Sequence, residues 1–226
     1  MTRGIRLLAP LAALGLLAAC TAPGTTAPEV ESAPQFASRQ LTAVGLTAED
    51  FGEGWALIPG EEGSGGGPGH AEQVLEDPCT WVTQWVPDQG DFATHSWRMY
   101  ANADGVSYGS DWLAAAAPGA DLHATLDTFA ETIRACGPAE REYDWGTAVI
   151  TLEPDVGPQL GDASFSYRAT FAEANGAQYG EGEVHLVVCG PLWLHLSYSG
   201  WDPFVERDRL LGLLVERASA LGGCTP

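Results

Sequence analysis

The amino-acid sequence predicts an α+β domain: an antiparallel β-sheet with helices packed mainly on one face and two disulfides. Three observations carry the prediction. The apolar runs TAVITL, ASFSYRATF, EVHLVV and LWLHLSYS follow one another at hairpin spacing. Two other segments, ADLHATLDTFAETIRAC and DPFVERDRLLGLLVERASALGG, carry helical periodicity instead. Five cysteines are present, and assigning one of them to processing leaves an even four for the folded part.

The chain opens on a processing segment. Arg3 and Arg6 flank the start of an apolar run that ends at Ala19 and contains Pro10 and Gly15. That run is shorter than the roughly 20 residues a membrane-spanning helix needs. A basic start, a short apolar core and small residues at its end make an export signal. Leu17-Ala18-Ala19-Cys20 resembles the bacterial lipobox, which implies acylation of Cys20 and cleavage just before it. Residues 1–19 are thus expected to be a lipoprotein signal peptide. Residues 20–40, rich in Thr, Ala, Pro and Ser, are expected to be the lipidated cysteine and a flexible tether. The folded domain is expected over 41–226, anchored by lipid at the outer face of the cytoplasmic membrane.

Charge narrows the partners. The chain carries 30 acidic residues against 10 basic ones, for a net charge of −20. All the basic residues are arginines, and two of them leave with the signal. So acidic a chain is a poor ligand for nucleic-acid phosphates and is repelled by anionic headgroups. Membrane contact is therefore expected through acyl chains alone. The remaining partner would be a small molecule or an envelope protein.

The elements follow in order. LTAEDFGEGW reads as a short helical turn ending in glycines, and GEEGSGGGPG as a surface loop. SWRMYANADGVSYGSDW reads as two strands around an Asp104-Gly105 turn. In the first long helix Leu122, Leu126, Phe129, Ile133 and Cys136 form one stripe; Asp121 caps it and Gly137-Pro138 stops it. Asn175-Gly176 is the strongest hairpin signal in the chain. A turn there pairs Phe165 with Leu186, Tyr167 with Val184 and Arg168 with Glu183. A turn about Gly190 would set Val184, Leu186 and Val188 against Leu196, Leu194 and Leu192, giving one apolar face for both helices to cover. The final helix is expected to start at Asp202-Pro203 and to bury Phe204, Leu211, Leu214, Val215, Ala218 and Leu221.

In that register the opposite face carries Arg168, Glu183, His185, Trp193 and His195, the candidate ligand face. His185 would lie directly opposite His195. Two imidazoles with Glu183 beside them are a weak zinc candidate and otherwise plain sheet histidines. Arg168 would hold a carboxylate ligand or simply pair with Glu183. Trp81, Trp85, Trp97, Trp112, Trp193 and Trp201 suit either a core of large side chains or an apolar or sugar-binding groove; Trp193, which reads onto the polar face, is expected to be accessible. No G-x-S-x-G elbow, no HExxH and no S-x-x-K with its partners is read, so no catalytic residue, metal or cofactor is assigned.

Cys79, Cys136, Cys189 and Cys224 can pair in three ways. Cys79–Cys136 would staple the end of the long helix, and Cys189–Cys224 would fasten the last helix to a strand turn. Taken together, the lipobox, the tether, LTAEDFGEGW, TIRAC, PQLGDASFSYRAT and VVCGPLWLHLSYSG resemble actinobacterial lipoproteins. They are similar to the extracellular sensor domain of PknH-type serine/threonine kinases, over about residues 41 to 224. The resemblance implies an antiparallel sheet with helices, two disulfides and a cleft for an extracellular ligand. The function expected is a lipid-anchored ligand-binding or sensor-like domain without catalysis; the alternatives are a structural or interaction lipoprotein of the cell envelope and an envelope hydrolase with an unrecognised site.

Overall fold

Eight strands make one antiparallel sheet in the computed structural model, which describes residues 36–66, 79, 91–103, 105–143, 146–173, 178–200, 207–222 and 224. The elements in chain order are α1 (Ser38–Val44), α2 (Ala48–Phe51), β1 (Trp55–Gly66), β2 (Phe92–Asn102), β3 (Tyr108–Ala116), α3 (Leu122–Ala135), β4 (Ala139–Tyr143), β5 (Gly146–Asp155), β6 (Ala163–Glu173), β7 (Gln178–Cys189), β8 (Leu192–Gly200) and α4 (Arg207–Ser219). The strand order is β1-β2-β3-β8-β7-β6-β5-β4. Two meanders thus meet at the β3–β8 seam, and α3 carries the chain from the centre to the far edge. The expected signal peptide, Cys20 and most of the tether lie outside the described residues. Among the described residues no helix is long and apolar enough to cross a membrane.

Helix α3 follows its sequence signals. Asp121 accepts hydrogen bonds from the backbone N–H groups of His123 and Ala124, both at 3.1 Å, and so closes the N-terminal turn. Leu122, Leu126, Phe129, Ala130 and Ile133 are its buried face. Fully burying each of the larger ones contributes about 1.5–3 kcal/mol. They pack on Phe165, Tyr167, Val184, Leu186 and Val188. Helix α4 buries Leu210, Leu211, Leu214, Val215 and Ala218 against Val187, Cys189, Leu192, Leu194 and Leu196. Helices α1 and α2 join that second core through Leu41 and Phe51, and the link between them through Leu46.

The sheet is therefore a central layer with helices on both sides: α1, α2 and α4 on one face, α3 on the other. The two long helices were expected on a single face, and the reason they are not is a register difference of one residue. The β6–β7 pairing is as expected, with Phe165 opposite Leu186, Tyr167 opposite Val184 and Arg168 opposite Glu183. In β7–β8, however, Cys189 pairs with Leu192, Leu186 with His195 and Val184 with Ser197. The turn has two residues, Gly190 and Pro191, with Gly190 at φ 54. One residue of slip exchanges the two faces of β8. Leu192, Leu194 and Leu196 thus face α4, while Trp193, His195 and Ser197 face the side of α3.

Two other expectations change. The glycine-rich stretch from residue 60 was read as a loop, yet residues up to Gly66 continue edge strand β1 and pair with β2. The folded part also begins earlier than residue 41, since Phe36 is buried and α1 starts at Ser38. Both disulfides form as Cys79–Cys136 and Cys189–Cys224, closing separations of 57 and 35 residues.

The corner between α1 and α2 is held by buried polar groups. Arg98 donates to the Leu46 carbonyl at 2.6 Å and to that of Thr42, and Tyr100 Oη donates to Leu46 O at 2.6 Å. Arg217 of α4 forks onto Asp50, both bonds at 2.7 Å, and reaches Gly45 O at 3.0 Å. Beneath them lies Asp111, 1 % exposed, whose Oδ2 accepts from Leu46 N at 3.3 Å. Its Oδ1 finds no partner among the described residues. Burial pushes this carboxyl up to about 7, against the pull of Arg98.

Candidate functional site

The five residues expected on one ligand face are divided between two. Arg168, Glu183 and His185 lie on the α4 side; Trp193 and His195 lie on the α3 side. His185 stands opposite Leu196, not His195, so the two imidazoles cannot share an ion. Among the described residues no group of three or more His, Cys, Asp and Glu is placed to hold a metal.

On the α4 side a charged cluster centres on Glu183. Its Oε1 accepts from Arg168 at 3.3 Å; its Oε2 accepts from Tyr198 Oη and, at 3.3 Å, from Arg207. His185 Nε2 stands 3.4 Å from Oε2, a close electrostatic contact rather than a well-formed hydrogen bond. Arg207 continues to Asp155 at 3.0 Å. The His185 imidazole, then the Tyr198 hydroxyl and Arg207, hold the Glu183 carboxyl down at about 2 despite its burial. The same carboxylate, added to burial, drives the Tyr198 hydroxyl far above its ordinary range. Tyr198 was legible in principle, because it pairs directly with Glu183 once the Gly190-Pro191 turn is given two residues. Arg207 was not, since nothing local places α4 over this strand.

This cluster has the connectivity of a hydrolytic triad. Ser166 Oγ lies 2.8 Å from His185 Nδ1, and His185 Nε2 faces Glu183. A nucleophile, however, needs free volume in front of its oxygen. The backbone of Gly157 packs against Ser166 so closely that a Cβ there would overlap Oγ, and it would stand 3.5 Å from His185 Nδ1. Ser166 is itself only 5 % exposed, so its hydroxyl presents little surface. The sequence also holds one G-x-S-x-G pentapeptide, Gly105 to Gly109. It spans the β2–β3 hairpin rather than the strand-to-helix elbow that exposes a nucleophile.

The α3 side is different in kind. His195 is 4 % exposed and Trp193 is completely buried, against the expectation that Trp193 would be accessible. His195 Nε2 and Trp193 Nε1 have no hydrogen-bond partner among the described residues. Burial, with the His185 imidazole adding to it, holds the His195 ring down to about 4, so it stays neutral. Trp112, half-buried, lies directly opposite His195. Phe92 meets the indoles of Trp112 and Trp193 edge-on, with centroids 5.1 and 5.9 Å away. One step further along the seam Ser110 and Ser197 share a hydrogen bond of 2.6 Å.

The arrangement of strands and helices has a counterpart of known structure. The chain is similar in fold to the extracellular domain of PknH from Mycobacterium tuberculosis. The likeness covers 83% of this chain and 97% of that domain, with a TM-score of 0.57 and 10% sequence identity. The amino-acid sequence matches no family model and no curated protein. At that identity the comparison speaks for the fold alone.

Proposed function

We propose that this chain is an extracytoplasmic ligand-binding domain of the sensor type, tethered to the outer face of the membrane by acyl chains on Cys20, and that it works without catalysis. The observation that carries the proposal is a pair of buried polar atoms on the α3 side, Trp193 Nε1 and His195 Nε2, that find no partner among the described residues. Leaving such a group unpaired costs about 1–3 kcal/mol, so a site that retains two of them is one that a ligand completes. The fold likeness to an extracellular domain supports the placement outside the membrane. The acidity of the chain leaves the lipid as the attachment to it.

The test is a thermal-shift screen of the mature chain released by Cys20→Ser, against amino acids, organic acids, divalent metals and neutral sugars. At least one class is expected to raise Tm, and Trp112→Ala is expected to abolish the shift. If no class raises Tm, the ligand-binding reading fails and an interaction protein of the envelope takes its place.

A further inference from the structure

We infer that the ligand taken on the α3 side is an uncharged saccharide, stacked on a shelf made by Trp97, Trp112 and His95. The inference rests on reading that face as the ligand site. Three observations lead to the class of ligand.

The first is the shelf itself. Trp97 and Trp112 are cross-strand partners on β2 and β3, and His95 stacks on Trp112 at 6.2 Å with 22° between the rings. All three are half-buried rather than sealed in the core. Edge strand β1 presents Gly63 opposite Trp97 and Gly65 opposite His95. A Cβ on Gly63 would stand 2.6 Å from Trp97 Nε1, and one on Gly65 would stand 3.3 Å from the His95 ring. The absence of side chains there lets both rings lie over the edge strand. Half-buried indoles, one of them lying over a glycine, suit the apolar C–H faces of sugar rings.

The second is charge. The positions of β2, β3 and β8 that look to this side are Phe92, His95, Trp97, Met99 and Ala101; Tyr108, Ser110, Trp112, Ala114 and Ala116; and Trp193, His195, Ser197 and Ser199. In a chain with 30 carboxylates and 10 arginines, none of these is either. Among the described residues of these three strands an ionic ligand would meet no counter-charge on this side. The other side of the same strands carries Arg98, Asp111 and, on the neighbouring β7, Glu183.

The third is unused hydrogen-bonding capacity. His195 Nε2 and Trp193 Nε1 have no partner among the described residues, and on β8 they are followed by Ser197, which shares a hydrogen bond with Ser110. Neutral donors and acceptors at close spacing match hydroxyl groups, which both donate and accept.

The experiment titrates the Cys20→Ser mature protein with maltotriose, mannotriose and triacetylchitotriose, and with trigalacturonate, citrate and arginine as charged comparators. Tryptophan fluorescence and Tm are the readouts. A neutral trisaccharide is expected to bind and the charged compounds are not. Trp97→Ala is expected to weaken binding roughly tenfold, the loss of about 1.4 kcal/mol that one ring stack supplies. Gly63→Val, which tilts Trp97 without altering its chemistry, is expected to weaken binding while leaving the far-UV spectrum and the disulfides intact. Binding of a charged comparator alone, removed by Trp112→Ala, would overturn the saccharide inference and leave the ligand-binding reading standing. Binding of a sugar that survives both Trp97→Ala and Gly63→Val would place it elsewhere and overturn the shelf. No binding by any of the three trisaccharides would also overturn it.

Discussion

Two buried groups make opposite demands on pH, and the stability of the domain is expected to show it. Asp111 titrates at 3.8 in the unfolded chain and at about 7 in the folded one. His195 titrates at 6.5 unfolded and at about 4 folded. Between about pH 4 and 6.5 the folded chain therefore holds a proton on Asp111 that the unfolded chain has released, so this residue makes stability fall as pH rises. Over the same window the unfolded chain holds a proton on His195 that the folded chain refuses, so this residue makes stability rise with pH. Each slope is about 1.4 kcal/mol per pH unit, and the two cancel. Asp111→Asn removes one arm. Relative to wild type, its stability is expected to climb by about 3 kcal/mol from the acid to the neutral end of the window. His195→Gln is expected to show the opposite trend. Urea unfolding at fixed ionic strength, in half-unit steps of pH, measures both. If the Asp111→Asn curve runs parallel to wild type, the carboxyl beneath Leu46 is not protonated in the folded state and the reasoning fails.

Other outcomes are as definite. Replacing Cys189 and Cys224 together by Ser opens a loop of 35 residues and is expected to cost about 4 kcal/mol in urea unfolding. Gly157→Ala drives a methyl group into Ser166 Oγ and is expected to destabilise by about 1–3 kcal/mol, a loss that Ser166→Ala in the same chain partly relieves. Glu183 has its folded value depressed to about 2 from 4.5, so its contribution is present above pH 4.5 and is lost as pH falls towards 2. Glu183→Gln is expected to flatten that acid limb and to lower stability at neutral pH, read by the same unfolding curves. Cys20→Ser is expected to move the protein from the detergent to the aqueous phase on temperature-induced phase separation and to end labelling by palmitate.

Much of this fold was legible because local signals agreed with one another. Asp121 and the stripe from Leu122 to Ile133 define α3 without help from the rest of the chain. Asn175-Gly176 implies the β6–β7 register, and the apolar and charged pairs that follow from it are the ones observed. The misreadings have physical causes as well. Strand β8 is buried from Leu192 to Tyr198 on both sides, so it lacks the alternation that normally settles register. One turn residue, Pro191, then decided which face each side chain joined. Strand β1 was missed because Gly63 and Gly65 carry no apolar pattern; their role is to make room for Trp97 and His95. The Glu183 cluster was half visible, in Arg168 and His185. Arg207 arrives from a helix that sequence spacing cannot position.

The central claim is that the ligand sits on the α3 side, against indoles and not against the Glu183 cluster. Its most direct test is an NMR titration of the mature protein with nitrogen-labelled tryptophan side chains. The eight indole N–H signals are assigned by single Trp→Phe substitutions, and maltotriose, mannotriose and triacetylchitotriose are added in turn. The Trp97, Trp112 and Trp193 signals are expected to move, while the Arg168 and Arg207 side-chain signals, recorded on uniformly labelled protein, stay in place. Movement of the arginine signals with those three indoles unchanged would contradict it.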